Sequence, residues 1–517
     1  MPAKDLPDLV IGSGPSGIAA AWARLEAGRA VTLVDAGAEL EPERAAAREA
    51  LAATGPEGWG RAAEDFRAAQ YEAPPGQLRR YGSDFAMEPA GAVFADPPGW
   101  LGLRSSRALG GLTNLWGAAV LPWPAAEMAG WPVTAGDLAP HYRALAEFLP
   151  VAGRTDALEA LLPGFPMEDA RPLPATRQAE ALIARLDAAA PKLAAAGITA
   201  GAARVAVAPG CRACGLCLHG CPWGLIFSAG QAIGRLRENP RFGYRKAMVR
   251  AIAEDAGGVT LHCEGGEEIR GARVFVGAGV LETARLMFTS LPGWAGAEVE
   301  LADSPHGFLP LLQLYSTGDP GAGPHHTLAL AFVELENPAI SPRLVHTQLY
   351  GWNDFYAREM MMNYGRFLPL AGPLFRRVAR RLIVAQSFLH SDHGPRIALS
   401  PAGDGENRLR ARLIENPETA PVARRARAAL ARALRRAGLI ALTPAARDGG
   451  PGSSFHVGAS FPMAAEPGRA QTDPLGRPAG AARIHLVDAS VMPAIPAATV
   501  TLAVMANAHR IAAMAGD

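Results

Sequence analysis

The most regular hydrophobic pattern lies at the N-terminal end of the chain. Residues 9–11 are apolar with β-branched side chains, residues 12–17 read GSGPSG, and residues 18–27 place alanine and leucine at helical spacing. A second apolar run, residues 30–34, ends at Asp35. Short β-branched runs are typical of buried strands, and the longer run is typical of a helix. The pattern predicts a strand, a tight turn, a helix and a second strand, in that order.

Similar patterns recur further along the chain. They predict a strand at residues 258–263 and a closing helix at residues 501–513. Residues 424–436 carry alanine and leucine at helical spacing with arginines between them, which indicates a helix with one solvated face. A polar turn at residues 390–393 is expected to be solvated, with contact to a substrate or a metal as the alternative. Its ionisable residues are His390, Asp392 and His393.

The glycines of the first turn indicate a nucleotide site. Gly12, Gly14 and Gly17 have the GxGxxG spacing, in which the glycines permit the turn, the approach of a pyrophosphate and close packing of helix on strand. The helix would offer free N–H groups to phosphate, and Asp35, about 20 residues on, suits a ribose hydroxyl. The motif alone does not distinguish NAD from FAD. The predicted contacts are Gly12, Gly14, Pro15, Ser16, Gly17 and Asp35.

Length and composition limit the remaining choices. With 517 residues the chain is long enough for two joined domains. Charged residues make up 19% of the chain and the formal net charge is +1, so no overall field would attract nucleic acid or an anionic membrane, and a small molecule is the expected partner. We find no basic leader and no run of about 18 apolar residues, so we expect a cytoplasmic protein without a transmembrane segment.

Four of the five cysteines stand close together. Cys211, Cys214, Cys217 and Cys221 have the spacing by which bacterial ferredoxins hold an iron–sulfur cluster, and Pro222 follows them as it does there. Clustered thiolates suit iron–sulfur or zinc, but the short gaps are tighter than separate zinc knuckles need, which makes zinc the lesser choice. Because the sequence has no second motif of this kind, unligated thiols stay an alternative. We predict a [4Fe-4S] or [3Fe-4S] cluster.

The C-terminal part is the most informative. It reads HVGASFPM from His456, TDPLGR from Thr472 and LVDASVMP from Leu486, and two internal blocks read RALGGLTNLWG from Arg107 and GAGVLETARL from Gly277. Together these blocks resemble the glucose-methanol-choline (GMC) oxidoreductase family. The resemblance is spread over both ends and the interior of the chain.

The resemblance implies an α/β fold, with a Rossmann-like FAD-binding domain and a discontinuous substrate-binding cap domain, as in p-hydroxybenzoate hydroxylase. In this family the N-terminal fingerprint binds the ADP part of FAD, and the C-terminal part returns to complete the flavin site. We therefore predict an FAD-binding domain built from residues 1–125, from residues 201–298 with the cysteine loop, and from residues 451–517. Residues 126–200 would form a cap segment, and residues 299–450 the substrate-binding domain.

The resemblance also implies further contacts with FAD. Glycines in residues 107–117 would let the backbone approach the flat ring without a side-chain clash. Leu115 occupies the position at which some members carry a histidine bonded covalently to FAD, so we expect dissociable FAD. The additional implied contacts are Gly110, Gly111, Thr113, Asn114, Val249, Ala278, Gly279, Asp488 and Val500.

The implied chemistry is alcohol oxidation. His456 matches the catalytic histidine of the family, and an imidazole suits a base because its ordinary pKa lies near 6.5. FAD is the expected acceptor of the hydride that leaves the carbon. Many members have a second catalytic residue, Asn or His, later in the chain. Thr499 matches that position here, and a shifted alignment offers Asn507 instead.

We therefore expect an FAD-dependent dehydrogenase that oxidises a CH–OH group of a sugar, a polyol or another alcohol, with electrons passed through the cluster to a redox protein or a quinone. Two alternatives stay open. One is an oxygen-using alcohol oxidase whose cysteines hold no cluster. The other is a non-catalytic electron-transfer flavoprotein subunit.

Overall fold

The computed structural model of the chain describes residues 6–68, 85–168, 170–294, 296–353, 356, 372–403 and 405–516. Its helices are α1 (Pro15–Glu26), α2 (Pro42–Thr54), α3 (Arg61–Ala68), α4 (Ala90–Val93), α5 (Ala135–Phe148), α6 (Leu158–Leu161), α7 (Arg177–Ala194), α8 (Ala229–Leu236), α9 (Val280–Ser290), α10 (Gly372–Ala379), α11 (Thr419–Leu434) and α12 (Thr501–Met514). None of the helices in these ranges is long and apolar enough to cross a membrane.

Its strands are β1 (Asp8–Ile11), β2 (Val31–Asp35), β3 (Ile198–Ala202), β4 (Phe242–Lys246), β5 (Val249–Asp255), β6 (Gly258–Cys263), β7 (Glu268–Gly271), β8 (Val274–Val276), β9 (Val299–Asp303), β10 (His306–Gln313), β11 (Ala329–Asn337), β12 (Ser341–Tyr350), β13 (Leu382–Phe388), β14 (Arg396–Pro401), β15 (Leu409–Ile414), β16 (Leu439–Ala441), β17 (Arg447–Asp448), β18 (Val457–Gly458) and β19 (Ile484–Leu486). The predicted first strand, first helix, second strand, strand at 258–263 and closing helix are confirmed by β1, α1, β2, β6 and α12.

The first sheet is parallel and five-stranded, in the order β19-β8-β1-β2-β4. β1, β8 and β19 are fully buried, as expected for central strands that are covered on both faces. These strands come from the N-terminal, middle and C-terminal parts of the chain. The two ends of the polypeptide therefore meet in one sheet, and the predicted α/β fold is confirmed.

A buried arginine joins the two terminal helices. Arg24 on α1 donates from Nη1 to the carbonyl oxygens of Ala512 and Ala515, at 3.0 and 2.9 Å. Its Nε pairs with Asp8 at 2.8 Å, and both side chains are almost completely buried. The carbonyls at the end of a helix lack partners within it, so Arg24 satisfies the end of α12 while holding it against α1.

The largest sheet is antiparallel, in the order β16-β10-β13-β12-β11-β3, with β17 paired to β10. One face is an apolar core that packs against α7 and α11 through residues such as Leu182, Leu311, Val333, Ile383 and Leu430. The residues between them in sequence point to the other face. A further sheet, β15-β14-β9-β18, carries the short strand β18 at its edge, and β5-β6-β7 form a small antiparallel sheet.

The turn at residues 390–393 is not solvated as the sequence pattern suggested. His390 and His393 are buried, at 0% and 6% exposure. Asp392 pairs with His390 Nδ1 at 3.3 Å and with Arg343 at 2.9 Å. The prediction was wrong because these residues pack against a strand, β12, and a loop that are distant in the sequence.

Candidate active site

The turn between β1 and α1 is shaped by close approaches of the backbone. Gly12 has a φ of +95°, and a Cβ at this position would overlap the carbonyl oxygen of Gly277. A Cβ on Gly17 would overlap the carbonyl oxygen of Gly12. Gly14 is the N-cap of α1, and Pro15 begins the helix. The turn thus requires glycine at two positions and presents the free N–H groups of α1, which suits a phosphate group.

A cavity of about 460 Å³ opens beside this turn. Asp35 lies in its wall, where Oδ2 accepts from Ser13 N at 2.8 Å and Oδ1 accepts from Gly37 N at 2.7 Å. Burial raises the pKa of Asp35, and these hydrogen bonds oppose the rise. Ser16 is buried in the first turn of α1. Other residues of the wall that the sequence had indicated are Gly12, Val249 and Ala278.

Residues 107–117 run directly beside the same turn. Gly110 N donates to Ser13 Oγ at 2.8 Å, and a Cβ on Gly111 would lie 3.6 Å from Gly14 Cα. Gly110 and Gly111 have φ values of +88° and +58°, which glycine adopts without strain. The segment with the flavin resemblance and the nucleotide fingerprint are therefore brought together.

Two polar side chains of this segment stabilise its bend. Thr113 Oγ1 donates to Gly110 O at 2.5 Å and accepts from Ala229 N at 3.0 Å. Asn114 Nδ2 donates to Leu109 O at 2.9 Å. These side chains act within the protein to hold the backbone in place, so a ligand at this position would chiefly meet main-chain atoms.

Asp488 joins the C-terminal part to the turn before α9. Its Oδ2 accepts from Gly279 N at 2.9 Å and from Thr283 Oγ1 at 2.5 Å, and its Oδ1 accepts from Ser490 N at 2.9 Å. Burial raises the pKa of Asp488, whereas these donors lower it. The carboxylate caps the N-terminus of α9, where negative charge is favoured.

The residues before α12 include an unusual hydroxyl group. Val500 is the N-cap of α12. Thr499 accepts at its carbonyl oxygen from Trp123 Nε1 at 3.1 Å, while its buried Oγ1 has no hydrogen-bond partner in the described ranges. Asn507, the alternative to Thr499, lies inside α12 and accepts from Arg510 Nε at 3.0 Å. Asn507 Nδ2 is likewise buried without a hydrogen-bond partner in the described ranges, so Asn507 differs from Thr499 in its place inside the helix.

His456 lies immediately before β18, on a loop that is tied to its surroundings. Its carbonyl oxygen accepts from Ser304 N at 3.0 Å, and its N–H donates to Ser454 Oγ at 3.0 Å. The imidazole stacks on Phe388, with ring centroids 4.6 Å apart and planes inclined by 20°. Nδ1 is buried and has no hydrogen-bond partner among the described residues. The ring is therefore fixed by stacking while its nitrogen remains free to bind.

The protonation of His456 follows from its surroundings. Burial, together with like-charge repulsion from the nearby His346 and His306, lowers the pKa of His456 to about 3. Imidazole is therefore neutral here at ordinary pH and can accept a proton or a hydrogen bond. Phe388 stacks on His456 and has His306 and His346 as its cross-strand partners.

The sequence analysis did not identify this row of residues across the large sheet. His346 Nδ1 lies 2.6 Å from Glu334 Oε1, and both side chains are fully buried. Large polar side chains at every second position, His346, Gln348 and Tyr350, were a signal of a two-faced strand. It could have shown that these residues share a face, but not which face of the sheet is near His456.

The four clustered cysteines line one small apolar cavity. Cys211, Cys217 and Cys221 accept hydrogen bonds at sulfur from the backbone N–H groups of residues 213, 327 and 225, at 3.4–3.5 Å. Burial raises the pKa of Cys214 to about 12 and that of Cys217 to about 11, so both are neutral thiols without a cation. In the described part of the chain no group of three or more His, Cys, Asp or Glu side chains is arranged to hold a single metal ion.

Comparison with known proteins agrees with this geometry. Residues 396–508 match a family model described as GMC oxidoreductase. The fold is similar to a crystal structure of pyridoxine 4-oxidase from Mesorbium loti, with a TM-score of 0.58, 14% sequence identity and 98% of each chain covered. No curated protein matches the sequence. The family match in the C-terminal part, on a fold that is shared over almost the whole length, supports the predicted resemblance to the GMC oxidoreductase family.

Proposed function

We propose that this chain is an FAD-dependent dehydrogenase that oxidises a CH–OH group of a sugar, a polyol or another alcohol, with His456 as the base. The observation that carries the proposal is a neutral imidazole whose buried Nδ1 has no partner in the described ranges. An unsatisfied buried polar group is costly unless a ligand completes it.

The residues around the first turn are suited to FAD. The orphan N–H groups of α1 would hold the pyrophosphate, and the buried Asp35 would accept a ribose hydroxyl. The cradle at Gly12 and Gly17 leaves no room for side chains. When bound, FAD would supply the acceptor for the hydrogen and the two electrons that leave the carbon. The other proposed contacts are Gly14, Pro15, Ser16, Gly110, Gly111, Thr113, Asn114, Val249, Ala278, Gly279, Asp488 and Val500.

The residues of the chain would handle the proton. His456, neutral and stacked on Phe388, would accept the hydroxyl proton of the alcohol at a ring nitrogen. The unpartnered Oγ1 of Thr499 would accept from or donate to the same oxygen, because a hydroxyl can do both. Thr499 is held by its carbonyl bond to Trp123.

The cysteine cavity supports the choice of dehydrogenase. Its four thiols face one space and receive backbone N–H donors, which are features that tune iron–sulfur clusters. A cluster is several atoms wide, so its ligands lie further apart than those of a single ion such as zinc. Cys221 also lines a second pocket with Leu109, Thr113 and Asn114, beside the proposed flavin segment. Electrons would pass singly from this region to a redox protein or a quinone.

An oxygen-using alcohol oxidase is the second candidate. The similar structure is titled as an oxidase, and the described residues hold no group arranged for a single metal ion. In that case the cysteines would remain thiols. Hydrogen peroxide that forms with an alcohol and without an added acceptor would favour this candidate.

The proposal is tested by anaerobic reduction of the flavin. Protein purified without oxygen is expected to show flavin absorbance, with iron and acid-labile sulfide in chemical assays. Alcohols should bleach the flavin, and His456→Ala should slow the bleaching by about 10²–10⁴-fold, as loss of a general base does. His262→Ala is the control, since His262 is exposed and pairs with Glu268 at the surface. Equal bleaching by the two variants would refute the role of His456, whereas a wild-type flavin that no alcohol bleaches would favour an electron-transfer subunit.

A further inference from the structure

The face of the large sheet that carries Phe388 is buried yet rich in polar groups. Its cross-strand pairs bring together residues from β10, β13, β12 and β11. Burial of polar side chains is costly unless they are hydrogen-bonded or serve a ligand. The opposite face of the same strands is an ordinary apolar core. The polar members are His306, Gln386, Gln348, His346, Glu334 and Tyr350.

Four of these residues form one chain of hydrogen bonds. Tyr350 Oη donates to Gln348 Oε1 at 2.5 Å, Gln348 Nε2 donates to His346 Nε2 at 3.1 Å, and His346 Nδ1 lies 2.6 Å from Glu334 Oε1. An ionised carboxylate only accepts, so the proton of His346 is on Nδ1 and its Nε2 accepts. That assignment turns the Gln348 amide group toward His346 and its oxygen toward Tyr350. Every donor in the chain is thereby directed toward Glu334.

This chain of hydrogen bonds ends beside residues 107–117, the proposed flavin segment. A Cβ on Gly117, at the end of residues 107–117, would lie 3.5 Å from Tyr350 Oη. At the other side His346 stacks on Phe388, with centroids 6.1 Å apart, and Phe388 stacks on His456. The Tyr350 side chain is partly exposed, whereas His346 and Glu334 are fully buried. Among these four hydrogen-bonded residues, Tyr350 is therefore the one that a substrate can contact.

The hydroxyl group of Tyr350 is prepared to accept. Its proton is committed to Gln348, and its oxygen receives no hydrogen bond from the described residues. Donation toward a buried carboxylate polarises the phenol and makes its oxygen a better acceptor. Burial raises the pKa of Tyr350, so the phenol stays protonated. A plain alkyl substrate would leave this oxygen without a partner, which costs binding energy.

We propose that Tyr350 is a specificity-determining residue that accepts a hydrogen bond from a second hydroxyl group of the substrate, and that the substrate is a polyhydroxylated alcohol. Gln348, His346 and Glu334 are positioning residues that direct the phenol. This inference rests on the proposed function of the same site.

The test compares alcohols that differ only in their additional hydroxyl groups. The pairs are glycerol with 1-propanol, sorbitol with 1-hexanol and myo-inositol with cyclohexanol, assayed by kcat/KM with an excess of an artificial electron acceptor. The wild-type protein should prefer the polyhydroxylated member of at least one pair. Tyr350→Phe should lower kcat/KM for that member by about 10-fold, the value of one hydrogen bond, and change the simple alcohol less than about 2-fold. Tyr315→Phe is the control. Tyr315 follows the C-terminal end of β10, and its Oη accepts a hydrogen bond from Gln313.

The positioning role is tested on the same substrates. Glu334→Gln keeps an acceptor for His346 and should retain the preference, whereas Glu334→Ala should lose as much of it as Tyr350→Phe does. The double variant, Tyr350→Phe with Glu334→Ala, should lower kcat/KM for the polyhydroxylated alcohol no further than either single variant does. Both substitutions disrupt the same set of hydrogen-bonded residues. The loss should appear in KM rather than in kcat.

Three results would overturn the inference. One is a wild-type preference for the simple alcohols in every pair, which needs no variant and so does not depend on variant folding. Another is an equal loss for both members of a pair in Tyr350→Phe, and a third is no loss at all. If no alcohol of either kind reduces the flavin, both this inference and the proposed function are refuted. Reduction by alcohols without dependence on Tyr350 overturns only this inference.

Discussion

A buried carboxylate holds the loop that carries His456. Asp303, 1% exposed, accepts from Gly452 N at 2.7 Å and from Ser454 Oγ at 3.1 Å. Ser454 Oγ in turn accepts from the N–H of His456. Burial raises the pKa of Asp303 to about 6, and the two hydrogen bonds only partly oppose this rise. Asp303→Asn removes the titration and keeps the size of the side chain.

The magnitude follows from the difference between the folded and unfolded pKa values. A rise from 3.8 to about 6 corresponds to about 3 kcal/mol. Because the folded protein binds this proton more tightly, the stabilisation is fully present below pH 3.8 and is lost as the pH rises through about 6. The free energy of unfolding of Asp303→Asn does not fall with rising pH in this way, because an amide does not titrate. Relative to the wild type, the variant should therefore gain about 2.4 kcal/mol of this difference between pH 4 and pH 7.

Urea unfolding at several pH values, followed by tryptophan fluorescence, measures this difference. Asp448→Asn is the matched control, because Asp448 is an exposed carboxylate on the nearby β17 that pairs with Arg427. Its difference from the wild type should not change by more than about 0.5 kcal/mol over the same range. A difference curve for Asp303→Asn that is flat from pH 4 to pH 7 would refute the reasoning. The variant should also reduce its flavin more slowly, since its loop is held by weaker bonds.

Two further predictions concern the junction of the chain ends. Gly17→Ala places a Cβ on the carbonyl oxygen of Gly12, so it should lose FAD binding in a flavin titration and destabilise the protein by about 1–3 kcal/mol. Gly234→Ala, on exposed α8 with open space around it, should instead raise the melting temperature slightly; equal effects of the two would contradict the steric argument. Arg24→Ala should cost about 1–3 kcal/mol in urea unfolding because two carbonyl oxygens at the end of α12 lose their donor, while Asp8 keeps Arg29 and Arg273 nearby; a loss below about 0.5 kcal/mol would show that Arg24 does not hold the ends together.

Local patterns made the nucleotide half predictable. The strand, the glycine turn and the helix of residues 8–26 depend on neighbours in sequence, and Asp35 follows from the end of the next strand. The closing helix was equally visible because its apolar residues are consecutive. The partners of these elements were not visible: β8 and β19, which complete the parallel sheet, are three residues each. Such short strands are specified by their neighbours in space.

The substrate side was least predictable because its chemistry depends on strand register. Glu334, His346 and Phe388 come from three strands and meet only through cross-strand pairing. A shift of one residue in any strand would turn its polar residues into the apolar core. The sequence shows the alternation within β12 but not the pairing that places His346 beside Phe388. A motif search therefore identifies His456 and misses the residues that surround it.

The backbone between the two C-terminal blocks determines the position of His456, the proposed base. Ala459 N, Phe461 N and Met463 N donate to the carbonyl oxygens of residues 489, 490 and 491, at 2.8–2.9 Å. A Cβ on Gly458 would overlap the carbonyl oxygen of residue 489, so the two blocks can approach this closely only with glycine there. The second block is fixed to α9 through Asp488. The proposed base is thus aligned with the N-terminal glycine turn by main-chain bonds of its loop, while its ring is fixed by Phe388 of the sheet face.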